Sequence, residues 1–253
     1  MASAFLVFDS QQISHTRRTC QRVGLKMQIN RARAASGPLL KAKNQSGRPL
    51  DQPPILMEAI LRAILDDDCS MVMKLLKAAP ALATCRIEEP RLYQSKIFHW
   101  IYAGDIALHL AAAGHRVELA RLFLAAGADP NSRKNHRQSG PLHYAADGYI
   151  TGPDWNEKRQ VQTIQCLLKR GSDAKLKNKT GSTAFHLAVQ NTGRGGSGAE
   201  AAKDAQREII HYFLTFGLKP ALKDSKGKSV FAWAKSSWIR NMLSKNSEVH
   251  GKI

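Results

Sequence analysis

The sequence predicts an all-α solenoid, built from stacked helix-turn-helix units joined by hairpin fingers. Two observations carry this. Four segments share one pattern: Gly104 to Ala111, Ser139 to Ala146, Gly181 to Ala188 and Gly227 to Ala234. Three exits repeat in phase with them, Gly127-Ala128-Asp129-Pro130-Asn131, Gly171-Ser172-Asp173-Ala174 and Gly217-Leu218-Lys219-Pro220. No unit of this size buries its apolar face alone, so neighbours must stack.

The units follow in order. The first pairs Ile55–Leu65 with Met71–Ala78, whose Val72, Leu75 and Leu76 fall on one helical face. The Asp66-Asp67-Asp68 turn between them reads as a solvated cap surface, since three consecutive carboxylates cannot converge on one ion. In later units Thr183 and Ser229 stand at a helix N-cap and Pro141 at the first helical position. Where Ile106 replaces the hydroxyl, Asp105 is expected to cap one residue earlier. Second helices show Leu119, Leu122 and Phe123, then Ile164, Leu167 and Leu168, then Ile209, Ile210, Phe213 and Leu214. Gly127, Gly171 and Gly217 suit the left-handed residue that ends a helix. Trp238, Ile239, Met242 and Leu243 supply a last short helix.

The segment Gly104 to Asn131 resembles a nearly complete ankyrin repeat, with Gly114-His115 as its inter-helix turn. His109 and His143 are 34 residues apart, close to the ankyrin period of about 33. The resemblance covers roughly 55–243, about five units with the first and last degenerate. It implies a protein-binding role and a structural histidine that bonds within and between repeats. Successive layers about 10 Å apart cannot share a metal ion through His109, His143 and His186. The family's cap hydroxyl survives among these repeats only at Thr183, which leaves the bonding at His109 and His143 open.

Three insertions interrupt the period. Ten extra residues, around Tyr149 to Gln160, and thirteen, around Thr192 to Lys203, lie between the helices of their units. Both are expected at the end opposite the fingers, as binding elements or as tolerated loops. Thirteen more follow the first unit and hold Tyr93, Phe98, His99, Trp100 and Tyr102. They either present aromatic anchors to a partner or fold back over the first unit. Folding back is the favoured reading.

Charge supplies the candidate site. The net charge is +18, of which residues 1–50 contribute +8. The fingers hold Arg133, Lys134, His136 and Arg137, then Lys175, Lys177 and Lys179, then Lys219, Lys223, Lys226 and Lys228. Stacking should align them in a basic stripe that attracts an acidic protein segment. Arg133, Lys134, Arg137, Lys175, Lys177, Lys179, Tyr93, Phe98, Trp100 and Trp155 are the candidate partner-binding residues, on a concave surface of first helices and fingers. The alternative is a polyanion, nucleic acid or an anionic membrane; the stripe's lack of interleaved aromatics disfavours nucleic acid. A solvated, solubilising edge is the plain third reading.

No catalytic, metal or cofactor motif is present: Gly193 and Gly198 have phosphate-loop spacing, but Ala199-Glu200 follow where Lys and Ser or Thr are required. The expectation is a monomeric binding module without enzymatic activity or cofactor. Scattered Cys20, Cys69, Cys85 and Cys166 read as reduced thiols of a cytoplasmic protein. Three regions are expected: a basic, disordered 1–50, the repeat domain 51–243 and a tail 244–253. Residues 1–50 also match an organelle transit peptide in composition, or a misassigned start with Met27 or Met57 as initiator.

Overall fold

Helices in pairs are what these apolar periods dictate, and the computed structural model places them so. It describes residues 53–94, 96–147, 156–190 and 200–249. The expectations for residues 1–50, for Cys20, Tyr149 and Trp155, and for the Gly193–Gly198 run lie outside the described residues. Five pairs follow one another: α1 (Pro53–Leu65) with α2 (Cys69–Ala78), α3 (Ala107–Ala113) with α4 (Val117–Ala125), α5 (Pro141–Ala146) with α6 (Glu157–Lys169), α7 (Ala184–Gln190) with α8 (Glu200–Thr215), and α9 (Val230–Trp233) with α10 (Ser237–Val249).

Packing sorts them into two layers. In the inner layer α1 touches α3, α3 touches α5, α5 touches α7 and α7 touches α9; in the outer layer α2 touches α4, α4 touches α6 and α6 touches α8. Inner helices α3, α5 and α7 are short and carry alanines at their contacts, so successive units approach closely. All seven residues of α3 and all six of α5 are buried. Phe123, Phe185 and Phe213 fill the space between layers and are fully buried. Gly127, Gly171 and Gly217 take φ of +93°, +93° and +79° at the helix ends, as their spacing predicted. No described helix is long and apolar enough to cross a membrane.

Two insertions end inside helices. The last four residues of each, 157–160 and 200–203, lengthen α6 and α8, which run 13 and 16 residues against 9 in α4. The last helix likewise continues to Val249, past the Leu243 at which the apolar pattern stops.

The third insertion forms a 3₁₀ turn, Pro80–Ala83, and a β-hairpin of β1 (Arg91–Gln94) and β2 (Phe98–Ile101). The strands are antiparallel, with Leu92 opposite Trp100 and Tyr93 opposite His99. The hairpin lies back along the inner layer. Arg91 pairs with Glu58 of α1, and Lys96 Nζ reaches Asp66 at 3.0 Å. The His99 ring packs on Tyr144 of α5 at 4.8 Å. Ile97 occupies the space beside Gly114, where a Cβ would collide with it. Folding back is therefore what the hairpin does.

The Asp66-Asp67-Asp68 turn lies at the surface, with Asp66 and Asp68 exposed, and all three carboxylates are engaged there. Asp68 caps α2, accepting from Met71 N at 2.9 Å. Asp67 reaches across units to Arg159 at 2.9 Å and to the buried Arg116 at 3.6 Å. With Lys96 on Asp66, the three carboxylates thus serve four partners, three of them outside the turn and the helix it caps.

Candidate functional site

The fingers are positioned by the histidines beneath them. In each of three units the N-cap backbone N–H donates to histidine Nδ1: Ile106 to His109 at 3.1 Å, Gly140 to His143 at 3.2 Å, Thr183 to His186 at 3.1 Å. An accepting Nδ1 leaves the proton on Nε2. That proton is donated onward to the next finger, from His109 to Ser132 O at 3.0 Å and from His143 to Ser182 O at 3.1 Å. The backbone thus supplies the cap contact where the hydroxyl is missing. Burial, first, holds the His143 pKa down to about 4, which keeps the ring neutral.

Asp105 does not cap α3. It is fully buried and its carboxylate accepts from Tyr144 Oη at 2.7 Å, Asn135 Nδ2 at 2.6 Å and Tyr102 N at 2.8 Å. These bonds join the hairpin base, the first finger and α5. Burial, then the neighbouring Asp105 carboxylate, pushes the Tyr144 hydroxyl well above the ordinary tyrosine range. Nothing in local sequence marks this network, because Asn135 and Tyr144 lie 30 and 39 residues from Asp105 along the chain.

The fingers themselves are laced together. Lys179 N donates to Arg137 O at 2.8 Å, and Ser225 N donates to Thr180 O at 3.0 Å. Arg133 Nη1 reaches Lys177 O at 3.3 Å, and Lys177 Nζ reaches Lys223 O at 3.2 Å. Gly104 allows the first close approach: its φ is +89°, and a Cβ there would collide with the Lys134 carbonyl oxygen.

The structure brings six of the predicted residues to one edge. Arg133, Lys134, Lys175, Lys177 and Lys179 are exposed or half-exposed, and Arg137 is half-buried. Among the described residues, none of the six makes an ion pair with a carboxylate, whereas Arg91, Lys96, Arg121 and Arg159 all do. Arg137 is spoken for differently. Its guanidinium lies 5.5 Å over the Tyr102 ring and donates to Tyr102 Oη at 3.3 Å.

The hairpin divides the predicted aromatics between its two faces, because opposite residues of an antiparallel pair share a face. Tyr93 and His99 turn inward, with Tyr93 packed against the core and His99 buried. Tyr93 therefore belongs to the covering face, a correction to its place among the contact residues. Phe98 and Trp100 turn outward, and Phe98 is 42% exposed. Trp100 stacks beside Tyr102 at 6.2 Å, and His136 meets the Tyr102 ring edge-on at 4.6 Å. A line of rings thus runs from the hairpin to the first basic finger. The concave surface also differs from the sequence expectation, for α3 and α5 are buried and the hairpin faces outward in their place. Aromatics do adjoin the stripe at this end, where the sequence showed none interleaved.

Comparison with known proteins agrees with this geometry. The family model described as ankyrin repeat matches residues 103–135. The chain is similar to the E3 ubiquitin-protein ligase KEG of Arabidopsis thaliana, 35% identical over 86 residues, which cover 34% of this chain and 5% of that protein. It is also similar to the ARF GTPase-activating protein Git of Drosophila melanogaster, 31% identical over 115 residues, 45% of this chain and 14% of that protein. The likeness therefore spans a small part of either relative. The chain thus contains an ankyrin repeat at residues 103–135, and the paired short helices on either side of it are consistent with further repeats of the same kind.

Proposed function

We propose that this chain is a protein-binding adaptor whose finger edge takes an acidic segment of its partner. One observation carries the reading: five exposed cations, Arg133, Lys134, Lys175, Lys177 and Lys179, lie on two stacked fingers with no carboxylate among the described residues paired to them. Unpaired charge of one sign at an aligned edge steers an oppositely charged partner and sets its register. Binding, without catalysis or cofactor, is what charge and apolar area on a rigid stack offer. A reducing, cytoplasmic setting agrees with the free thiols of Cys69, Cys85 and Cys166.

The test uses the immobilised full chain and a variant carrying Arg133→Glu, Lys134→Glu and Lys177→Glu, with nuclease added and retained protein identified by mass spectrometry. The expected result is one partner held stoichiometrically after nuclease, bound about tenfold more weakly or worse by the variant and with a shallower salt dependence. Unchanged affinity would show that the stripe only solubilises. Retention that collapses with nuclease, or spreads over many acidic species, would favour the polyanion reading through its steep salt dependence.

A further inference from the structure

The hairpin changes what the concave side of this solenoid presents. Its inward face covers the alanine-rich inner helices with His99 and Ile101, both almost fully buried. Its outward face carries Leu92, Gln94, Phe98 and Trp100, and Tyr102 continues the line toward the fingers. Small inner-helix side chains are thereby replaced, at the surface, by large apolar ones.

We infer that this outward face is a docking strip for an extended acidic peptide with apolar side chains at every second position. The inference rests on the finger edge binding an acidic segment, and it names that segment's form. Three observations support it. Phe98 is among the few large apolar side chains left exposed, and it sits on a hairpin anchored by Arg91 to Glu58 and by the half-buried Tyr93. The aromatic line reaches the finger that carries Arg133 and Lys134, since Tyr102 touches His136 and Arg137 of that finger. The strip's own form is the third: Phe98, Trp100 and Tyr102 alternate along extended chain that leads to the first finger, so a peptide lying alongside it in extended form presents alternate side chains at the same repeat. The apolar side chains would seat on Phe98, Trp100 and Tyr102 while the carboxylates meet Arg133, Lys134 and Lys177.

A random dodecapeptide display library, panned against the folded full chain, tests this directly. The expected peptides carry acidic residues beside apolar ones at alternate positions. Synthesised, they should bind Phe98→Ser and the Phe98→Ser/Trp100→Ser pair about tenfold more weakly or worse, with the variants' circular dichroism unchanged. Phe98→Ser alone keeps the test decisive if the double variant misfolds, because Phe98 is largely outside the core. Acidic peptides without apolar alternation, apolar residues at helical spacing, or binding indifferent to both hairpin variants would overturn the inference while leaving the finger reading intact. Binding lost in the hairpin variants but unaffected by Arg133→Glu, Lys134→Glu and Lys177→Glu would overturn the finger reading. No enrichment above the bare support would overturn both.

Discussion

Histidine protonation is the most consequential single-residue event in this stack. Burial lowers the pKa of His143 and of His115 from 6.5 to about 4 each. The unfolded chain binds these protons first, so stability is complete above about pH 6.5 and is lost as pH falls toward 4. Each ring should cost about 2 kcal/mol at pH 5 relative to pH 7. Urea denaturation at the two pH values should show this loss, and His143→Gln should remove part of it. A pH-independent midpoint would mean that these rings are open to water in the native state.

Two glycines separate backbone strain from steric collision. Gly127 has φ +93°, and a Cβ added there would meet nothing within 4 Å. Gly127→Ala should therefore cost only the left-handed penalty of about 1–2 kcal/mol. Gly104 shares the positive φ but abuts the Lys134 carbonyl. Gly104→Ala should cost clearly more, by about 1–3 kcal/mol, because a backbone must shift. Equal losses in chemical denaturation would remove the argument that Gly104 exists for finger packing.

At the level of elements, the hairpin's two faces should respond oppositely to truncation. Ile101 is fully buried against the inner layer, and Ile101→Ala should destabilise by about 2–5 kcal/mol. Phe98→Ala, on the outward face, should change stability by less than about 1 kcal/mol. Thermal melts of the two variants give the comparison, and equal losses would mean that Phe98 is part of the core. Local sequence showed the aromatic richness of this insertion. It did not show which aromatic faces which way. That depends on the register of Leu92 with Trp100 and on Glu58, 33 residues upstream of the Arg91 it pairs with. Asp105 illustrates the same limit: its place before a helix suggests a cap, yet Asn135 and Tyr144 decide its role.

As a whole, the molecule is a one-dimensional stack in which each unit contacts its neighbours, so damage should stay local. Leu243, fully buried in α10, lies in the last unit of the array. Leu243→Ala should speed amide exchange in α8, α9 and α10 while α3 and α4 keep their protection. A uniform rise across the chain would show that the stack opens as one cooperative unit. The charge of +18 acts at this scale too, since its field attracts anionic molecules most strongly at low salt.

The repeat, its helix pairs, the glycines at helix ends and the basic residues of each finger are all legible along the chain. Those features follow from local periodicity, backbone conformation and composition, and each unit spells them out within about 33 residues or little more. Tertiary structure alone decided three things: that the histidines cap through backbone N–H groups, that Asp105 lies buried between hairpin, finger and α5, and that the hairpin lines the concave side with Phe98 and Trp100 outward. Each depends on groups distant in sequence meeting across units, where packing and the need to satisfy buried polar atoms choose the partner.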